Sequence, residues 1–374
     1  MKGFLCAGLL AVIQTMTAAQ AYEADIHYST TYVLARAVGW PEADARIIAS
    51  ANQGVDENHD TVASLEVEAI PGARLAGYVM SSFRQSDKNL RFHCFSRTRE
   101  EGERISEDVR KVISRHFADV PVSRTDARSH VRTLIALGVA LHCQQDAHSH
   151  VGYGGSCGSH AGNCHGHAYQ TLLDQVAFRV TKKHYFNPDH PGVSGERLLE
   201  TLQGTVRELA ARRPRGASRS IPTRDLVALS EALRGSGLEL PDEERRECNR
   251  HLAGKWLHDF FQSTRNMPGR RESETRLSPA VAAACGNASL ASARIVAVPE
   301  PRFPRLNADA SPHLVRADGT YELVREGAFA SVLPRANAHA NAAALPNYDA
   351  RKVRLQLSHW SQLLALTQTG PRVR

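Results

Sequence analysis

The sequence predicts a mostly α-helical protein, and three observations carry that expectation. Apolar residues recur at helical spacing through most of the chain as far as Gln262. No segment shows the strict apolar–polar alternation of a half-buried strand, and no internal repeat is visible. From about Val296 the composition shifts: Pro299, Pro301, Pro304, Pro312 and Pro334 interrupt any regular element, so a loop-rich C-terminal extension is expected.

The elements follow in order. Tyr28, Thr31, Tyr32, Leu34, Ala35 and Val38 lie near helical spacing, and Gly39 with Pro41 ends that run. Glu42 to Ala51 reads as a second, short helix with Ala45, Ile48 and Ala49 on its apolar face. Residues 57–90 contain Pro71, Gly72 and Gly77 and read as loop-rich. Glu100 to Phe117 is an amphipathic helix with much of its surface exposed. The clearest helix is Asp126 to Asp146, where Val131, Leu134, Ile135, Leu137, Gly138, Leu141 and His142 form a broad stripe. Gly138 inside that stripe implies the close approach of another helix. Residues 151–167 hold six glycines and form a tight or flexible loop, and a helix from about Ala168 to Lys182 follows. Arg212 to Arg219 is a basic connector. Helices from Ile221 to Arg234, stopped by Gly235, and from Asp242 to Gln262 complete the helical part.

The N-terminus has the form of a signal peptide. Lys2 supplies the positive charge, Phe4 to Ile13 the apolar stretch, and Ala19-Gln20-Ala21 a small-residue cleavage site. The mature chain would then begin at Tyr22, secreted or periplasmic. No later stretch approaches the ~18 apolar residues of a membrane span. The expected organisation is a signal peptide over 1–21, a helical metal-binding domain over 22–295 and the extension over 296–374. Cys6 leaves with the signal, and six cysteines remain: Cys94, Cys143, Cys157, Cys164, Cys248 and Cys285. An even number in an exported chain favours disulfides. Connectivity is open, with Cys157–Cys164 and Cys248–Cys285 as plausible local pairs. The formal charge of +7 biases the chain toward anionic partners such as phospholipid head groups or nucleic acid.

The chain has 18 histidines, six of them between His142 and His167. His142, Asp146 and His150 recur every four residues, so one helix face presents imidazole, carboxylate and imidazole together. Zinc takes such nitrogen and oxygen ligands. A buried structural histidine held by a carboxylate would explain the first pair alone, but less readily the triple. His160, His165 and His167 follow in or after the Gly-rich loop, with His167 the preferred ligand, and Asp174 lies two turns along the next helix. His27, Asp56 and His93 are further candidates from the N-terminal half, each also explicable as a cap or core residue. There is no HExxH helix, which argues against a zincin-type protease, and no Gly-rich phosphate loop in the right context.

Taken together, these positions resemble the zinc-dependent phospholipase C and single-strand nuclease superfamily. The similarity runs from residue 22 to about 175, in order: an N-terminal aromatic at Tyr22, His27 five residues on, Asp56, His93 among aromatics, His142 with Asp146, His150 and His167. The wording Asp25-Ile26-His27-Tyr28 and Gln53-Gly54-Val55-Asp56 is similar to a less characterised bacterial branch. The resemblance implies an all-α fold and two or three zinc ions. One would take Asp56, His93, His142 and Asp146, and a second the Tyr22 terminus, His27 and a bridging Asp146. A third would take His150, His167 and Asp174. It also implies hydrolysis of a phosphodiester, with Asp56 orienting or deprotonating the attacking water. The substrate would be a phospholipid head group, with peripheral contact to a membrane surface, or else single-stranded nucleic acid. A non-catalytic zinc-binding protein on the same scaffold is the alternative. The chain departs from the family in having Tyr22 rather than Trp, in placing His150 four residues after Asp146, and in carrying Thr171 where the last carboxylate is expected.

Overall fold

A computed structural model of the chain describes residues 24–57, 65–68, 82–85, 93–118, 127–152, 174, 177–213, 220–235, 239–264, 274–287, 290–299, 313–315 and 321–323. Most of these residues are helical, as the apolar spacing requires. The expected signal peptide, Tyr22 and the Gly-rich loop with His160, His165 and His167 lie outside them.

The described chain begins with a π-helical turn, Asp25–Thr30, that runs directly into α1 (Thr31–Val38). Two hydroxyls support the wider turn. Thr30 Oγ1 donates to the Asp25 carbonyl at 2.7 Å and Thr31 Oγ1 to the Ile26 carbonyl at 3.5 Å, each across five residues. α1 ends where the sequence says it should: Gly39 adopts φ 102° and its amide donates to the carbonyls of Ala35 and Arg36. The π-turn is fixed from the far end of the chain. Arg245 Nη1 donates to Asp25 Oδ2 at 2.5 Å and Asn249 Nδ2 to the same oxygen at 2.6 Å, with all three residues buried. Removing one side of such a pair strands the other charge, an effect of about 3–5 kcal/mol.

α2 spans Glu42–Glu57, a turn and a half beyond the expected end at Ala51. The expected helix stops before Asn52, yet Asn52 and Asp56 are buried and meet groups on other elements. Tertiary partners therefore override the weak helix preference of these residues. Asp56 sits in the last turn of α2 rather than after it. Within the segment expected to be loop-rich, β1 (Leu65–Glu68) and β2 (Ser82–Gln85) pair antiparallel. α3 (Arg99–Ala118) follows, and then α4 (Ala127–Ser149), the central helix. Gly138 of α4 has the role its position implied. A Cβ there would lie 2.4 Å from the Ile48 carbonyl oxygen and 2.6 Å from Ala51 Cβ, so α2 and α4 touch backbone to backbone.

Residues 174 and 177–181 are helical, in line with the helix expected to end near Lys182. Two further helices follow where none was expected, α5 (Pro191–Ser194) and α6 (Glu196–Arg212). α6 buries Leu198, Leu202, Thr205 and Leu209 along one face. α7 (Thr223–Gly235) and α8 (Asp242–Ser263) match the expected pair to within two residues. One continuous core joins α1, α2, α4, α6, α7 and α8. Trp40 Nε1 donates to the Leu209 carbonyl at 3.1 Å inside it.

A smaller apolar cluster surrounds the Cys248–Cys285 disulfide, one of the two pairs suggested from spacing. Ala282 of α9 (Pro279–Ala284) and Ile295 of β4 (Arg294–Val296) belong to it, and β4 pairs antiparallel with β3 (Glu274–Arg276); none of these elements was expected. Val296 and Val298 belong to the main core, so the packed body continues past residue 295. Further on, β5 (His313–Val315) pairs with β6 (Tyr321–Leu323). No described helix is long and apolar enough to cross a membrane.

The contact at Gly138 yields a direct test. Gly138→Ala would force α2 away from α4, and we expect a loss of about 1–3 kcal/mol in urea unfolding. An unchanged midpoint would show that the two helices have room the structure does not provide.

Candidate metal centre

Four segments bring the candidate ligands to one place. His27 comes from the π-turn, Asp56 from the end of α2, His93 from the stretch before α3, and His142, Asp146 and His150 from α4 and the residue after it. The 3.6-residue period sets His142 and Asp146 one above the other on α4. His150 keeps that register because its amide donates to the Asp146 carbonyl at 2.8 Å. The side chains of all six are fully buried.

The six groups form a cluster with two sides. On one side, His93 Nδ1, His142 Nε2 and Asp146 Oδ2 are mutually 3.0, 3.1 and 3.1 Å apart. Asp56 Oδ1 stands 3.6 Å from both imidazole nitrogens. Ligands of a tetrahedral zinc with bonds of about 2.0–2.1 Å are about 3.3 Å apart, so this set has the spacing of a four-ligand site. On the other side, His27 Nε2 lies 3.2 Å from Asp146 Oδ1 and 3.7 Å from Asp56 Oδ2. Each carboxylate thus turns one oxygen to either side. These groups can hold a metal ion.

The donor chemistry points the same way. His142 Nδ1 donates to Asn52 Oδ1 at 3.2 Å. Burial pushes the His142 pKa down to about 3 against the opposing pull of Asp146, so the ring is neutral near pH 7. Its Nε2 therefore carries a lone pair, which lies 3.0 Å from His93 Nδ1 and near the oxygens of Asp146 and Asp56. Buried nitrogen and carboxylate oxygen donors this close together suit a cation. Asp146 Oδ1, also buried, accepts no hydrogen bond among the described residues. Burial alone would raise the Asp146 carboxyl; His142, His150 and His27 outweigh it and hold it well below the usual range.

A layer of amides sets the rings. Gln145 Oε1 accepts from His27 Nδ1 at 2.8 Å and from Asn52 Nδ2 at 2.9 Å. Gln145 Nε2 donates to Thr31 Oγ1 and Thr205 Oγ1 at 2.9 and 3.0 Å, and Asn52 Nδ2 donates to Thr31 Oγ1. The network directs Nε2 of both His27 and His142 at the carboxylates. A covalent brace adds to it: Cys94 and Cys143, each next to a candidate ligand in sequence, form a disulfide. That pairing was not anticipated, and Cys157 and Cys164 lie outside the described residues. The two disulfides are compatible with an oxidising compartment.

Of the residues expected at a third site, His150 and Asp174 are described, and they lie against different partners. Asp174 is turned to another task. Its Oδ1 accepts from the amides of Tyr185 and Phe186 at 2.5 and 2.7 Å, and its Oδ2 bonds His184 Nδ1 at 2.5 Å. The carboxylate nearest His150 is instead Asp189, with Oδ1 3.2 Å from His150 Nε2. His150 Nδ1 donates to the His93 carbonyl at 3.1 Å, and Phe95 stacks on the His150 ring at 4.1 Å. Asp189 sits in an irregular loop before α5, where no periodicity could single it out. Asn52 and Gln145 had a legible signal: they lie four residues before Asp56 and one before Asp146 on the same two helices. Tyr22 and His167 are outside the described residues.

Two outcomes follow from this geometry. If the cluster takes up a divalent metal, Gln145→Ala should lower the affinity for it about 10–100-fold in competition with a fluorescent chelator, whereas unchanged affinity would limit Gln145 to packing. The second concerns acid. His142 titrates near 6.5 when unfolded and about 3 when folded, so the unfolded chain takes up the proton first. The stability of chelator-treated protein is therefore expected to hold above about pH 6.5 and to decline as pH falls toward about 3. Urea unfolding across that window checks this, and a flat profile would contradict it.

Residues 22–190 match the model of a family of unknown function (DUF6765). That stretch encloses every group of the cluster, from His27 to Asp189, and leaves α6, α7 and α8 outside it. No curated protein and no solved structure matches the chain.

Proposed function

We propose that the chain is a zinc-dependent phosphoric ester hydrolase, similar in its site to the phospholipase C and single-strand nuclease superfamily. The observation that carries this reading is the sharing of Asp56 and Asp146 between the His93–His142 side and the His27 side. Carboxylates that serve two sides suit a pair of cations a few ångströms apart. Imidazole and carboxylate donors without thiolate fit zinc and disfavour softer metals.

In this reading His142 and His27 would bind through Nε2 and His93 through Nδ1, with Asp146 offering an oxygen to each side. Zinc held there would supply Lewis acidity toward a water and toward phosphate oxygens. Asn52 and Gln145 hold the imidazoles at fixed angles, so little reorganisation accompanies the reaction. Asp56, which lies 3.6–3.7 Å from imidazoles of both sides, would orient the attacking water and accept its proton at a carboxylate oxygen. Of the two substrate classes, a phospholipid head group leads and single-stranded nucleic acid is second.

One observation favours a different role. Every side chain of the cluster is fully buried, and structural zinc sites are closed while catalytic ones keep an open position. A non-catalytic metal-binding protein is therefore the second reading.

Elemental analysis of the dialysed protein, with hydrolysis of bis-p-nitrophenyl phosphate on the same sample, separates the two. The hydrolase reading expects at least two zinc ions per chain, turnover abolished by chelator, and a loss of at least about 100-fold in rate for Asp56→Asn. Stoichiometric zinc that raises the melting temperature without turnover of that ester, of phospholipid or of single-stranded DNA would establish the structural role. Absence of bound metal would sink both.

A further inference from the structure

We propose that Val180, Tyr185 and Phe186, with Arg179, Lys182 and Lys183 around them, form a surface that docks on an anionic phospholipid bilayer. The proposal stands on a different part of the molecule from the metal centre and does not depend on turnover there.

Among the described residues, the large hydrophobic side chains that remain exposed are Val180, Tyr185 and Phe186, at 79%, 49% and 47%. All three fall within seven residues. Exposed apolar side chains gathered in so short a stretch mark a candidate interaction site. The stretch 179–186 also carries three cations and no acid. Lys182 Nζ lies 6.0 Å above the Phe178 ring. Lys183 Nζ pairs with Glu239 at 2.9 Å, but both side chains are about half exposed or more, and a solvated pair of this kind is readily exchanged.

The turn that bears the aromatics is built rather than loose. Asp174 accepts the amides of Tyr185 and Phe186, and the buried His184 between the two arms donates to Asp174 through Nδ1 and to the Leu240 carbonyl through Nε2. Phe178 stacks on His184 at 4.3 Å. With the backbone pinned inward, the Tyr185 and Phe186 rings project outward at little entropic cost. Aromatic rings flanked by lysine and arginine are the composition of a headgroup-level anchor, in which rings enter the acyl boundary and cations meet lipid phosphates.

Single-stranded nucleic acid would also meet aromatics and cations, but the details disfavour it. The Tyr185 and Phe186 rings are tilted by 50° at 6.1 Å and offer no parallel platform for successive bases. Val180, the most exposed of the three, has no face to stack.

Co-sedimentation with phosphatidylcholine vesicles, with and without phosphatidylserine, tests the proposal. The intact protein should bind the anionic vesicles, and added salt should weaken that binding. The triple variant Val180→Ser, Tyr185→Ser, Phe186→Ser should lose about tenfold or more in partitioning, with its circular dichroism unchanged. Lys182→Glu with Lys183→Glu, which leaves the apolar residues in place, should lose the preference for the anionic vesicles. No binding by the intact protein, or equal binding by the folded variants, would overturn the proposal. So would variant-sensitive binding to a single-stranded oligonucleotide without binding to vesicles.

Discussion

Two buried carboxylates impose the main constraint on this fold. Asp56 and Asp146 lie out of water, with the imidazoles of His27 and His93 beside them. Charges in such a place are tolerated only where oriented groups surround them. Much of the architecture serves that end. The π-turn presents His27, the extended end of α2 presents Asp56, and the face of α4 presents three groups in register. The bare backbone at Gly138 lets α2 and α4 close to the distance at which Asn52 reaches His142. Ordinary helices at this crossing, with a β-carbon between them, would hold the two carboxylates too far apart to share partners.

The periphery holds the N-terminal part of the cluster from a distance. Asp25 is two residues before His27 and is bound by Arg245 and Asn249 of α8. The residues that fix the His27 segment therefore come from beyond the stretch that matches the family model. Gln145 plays the corresponding part inside, joining His27, Asn52, Thr31 and Thr205 of α6 in one bonded set. The C-terminal helices thus act as a frame for the histidine–carboxylate cluster carried by the N-terminal half.

Legibility in the sequence followed physical type. Helices whose apolar faces repeat at 3.6 residues were readable, and α4, α7 and α8 lie close to their expected bounds. α6 had an equally regular face in Leu198, Leu202 and Leu209 and was within reach of the same reading. The end of α2 was not, because the helix continues past Ala51 where partners on other elements take the Asn52 side chain. Four-residue spacing exposed His142, Asp146 and His150, and the resemblance added His27, Asp56 and His93, which the fold brings to the same place. Asp174 was misplaced for the opposite reason. It lies at helical distance from His167, and only the return of the chain through His184 shows that its oxygens are occupied. Long-range returns of this kind, including the approach of Asp189 to His150, leave no periodic trace.

The Cys94–Cys143 bond has a consequence for the setting of the cluster. It ties the residue after His93 to the residue after His142 across a separation of 49 residues. Without that bond, the nitrogen pair at 3.0 Å would lose its covalent brace and rest on packing and hydrogen bonds alone. The redox state of two thiols thus bears on how firmly the two neighbouring imidazoles are set, and the compartment in which the chain folds becomes part of the definition of the cluster.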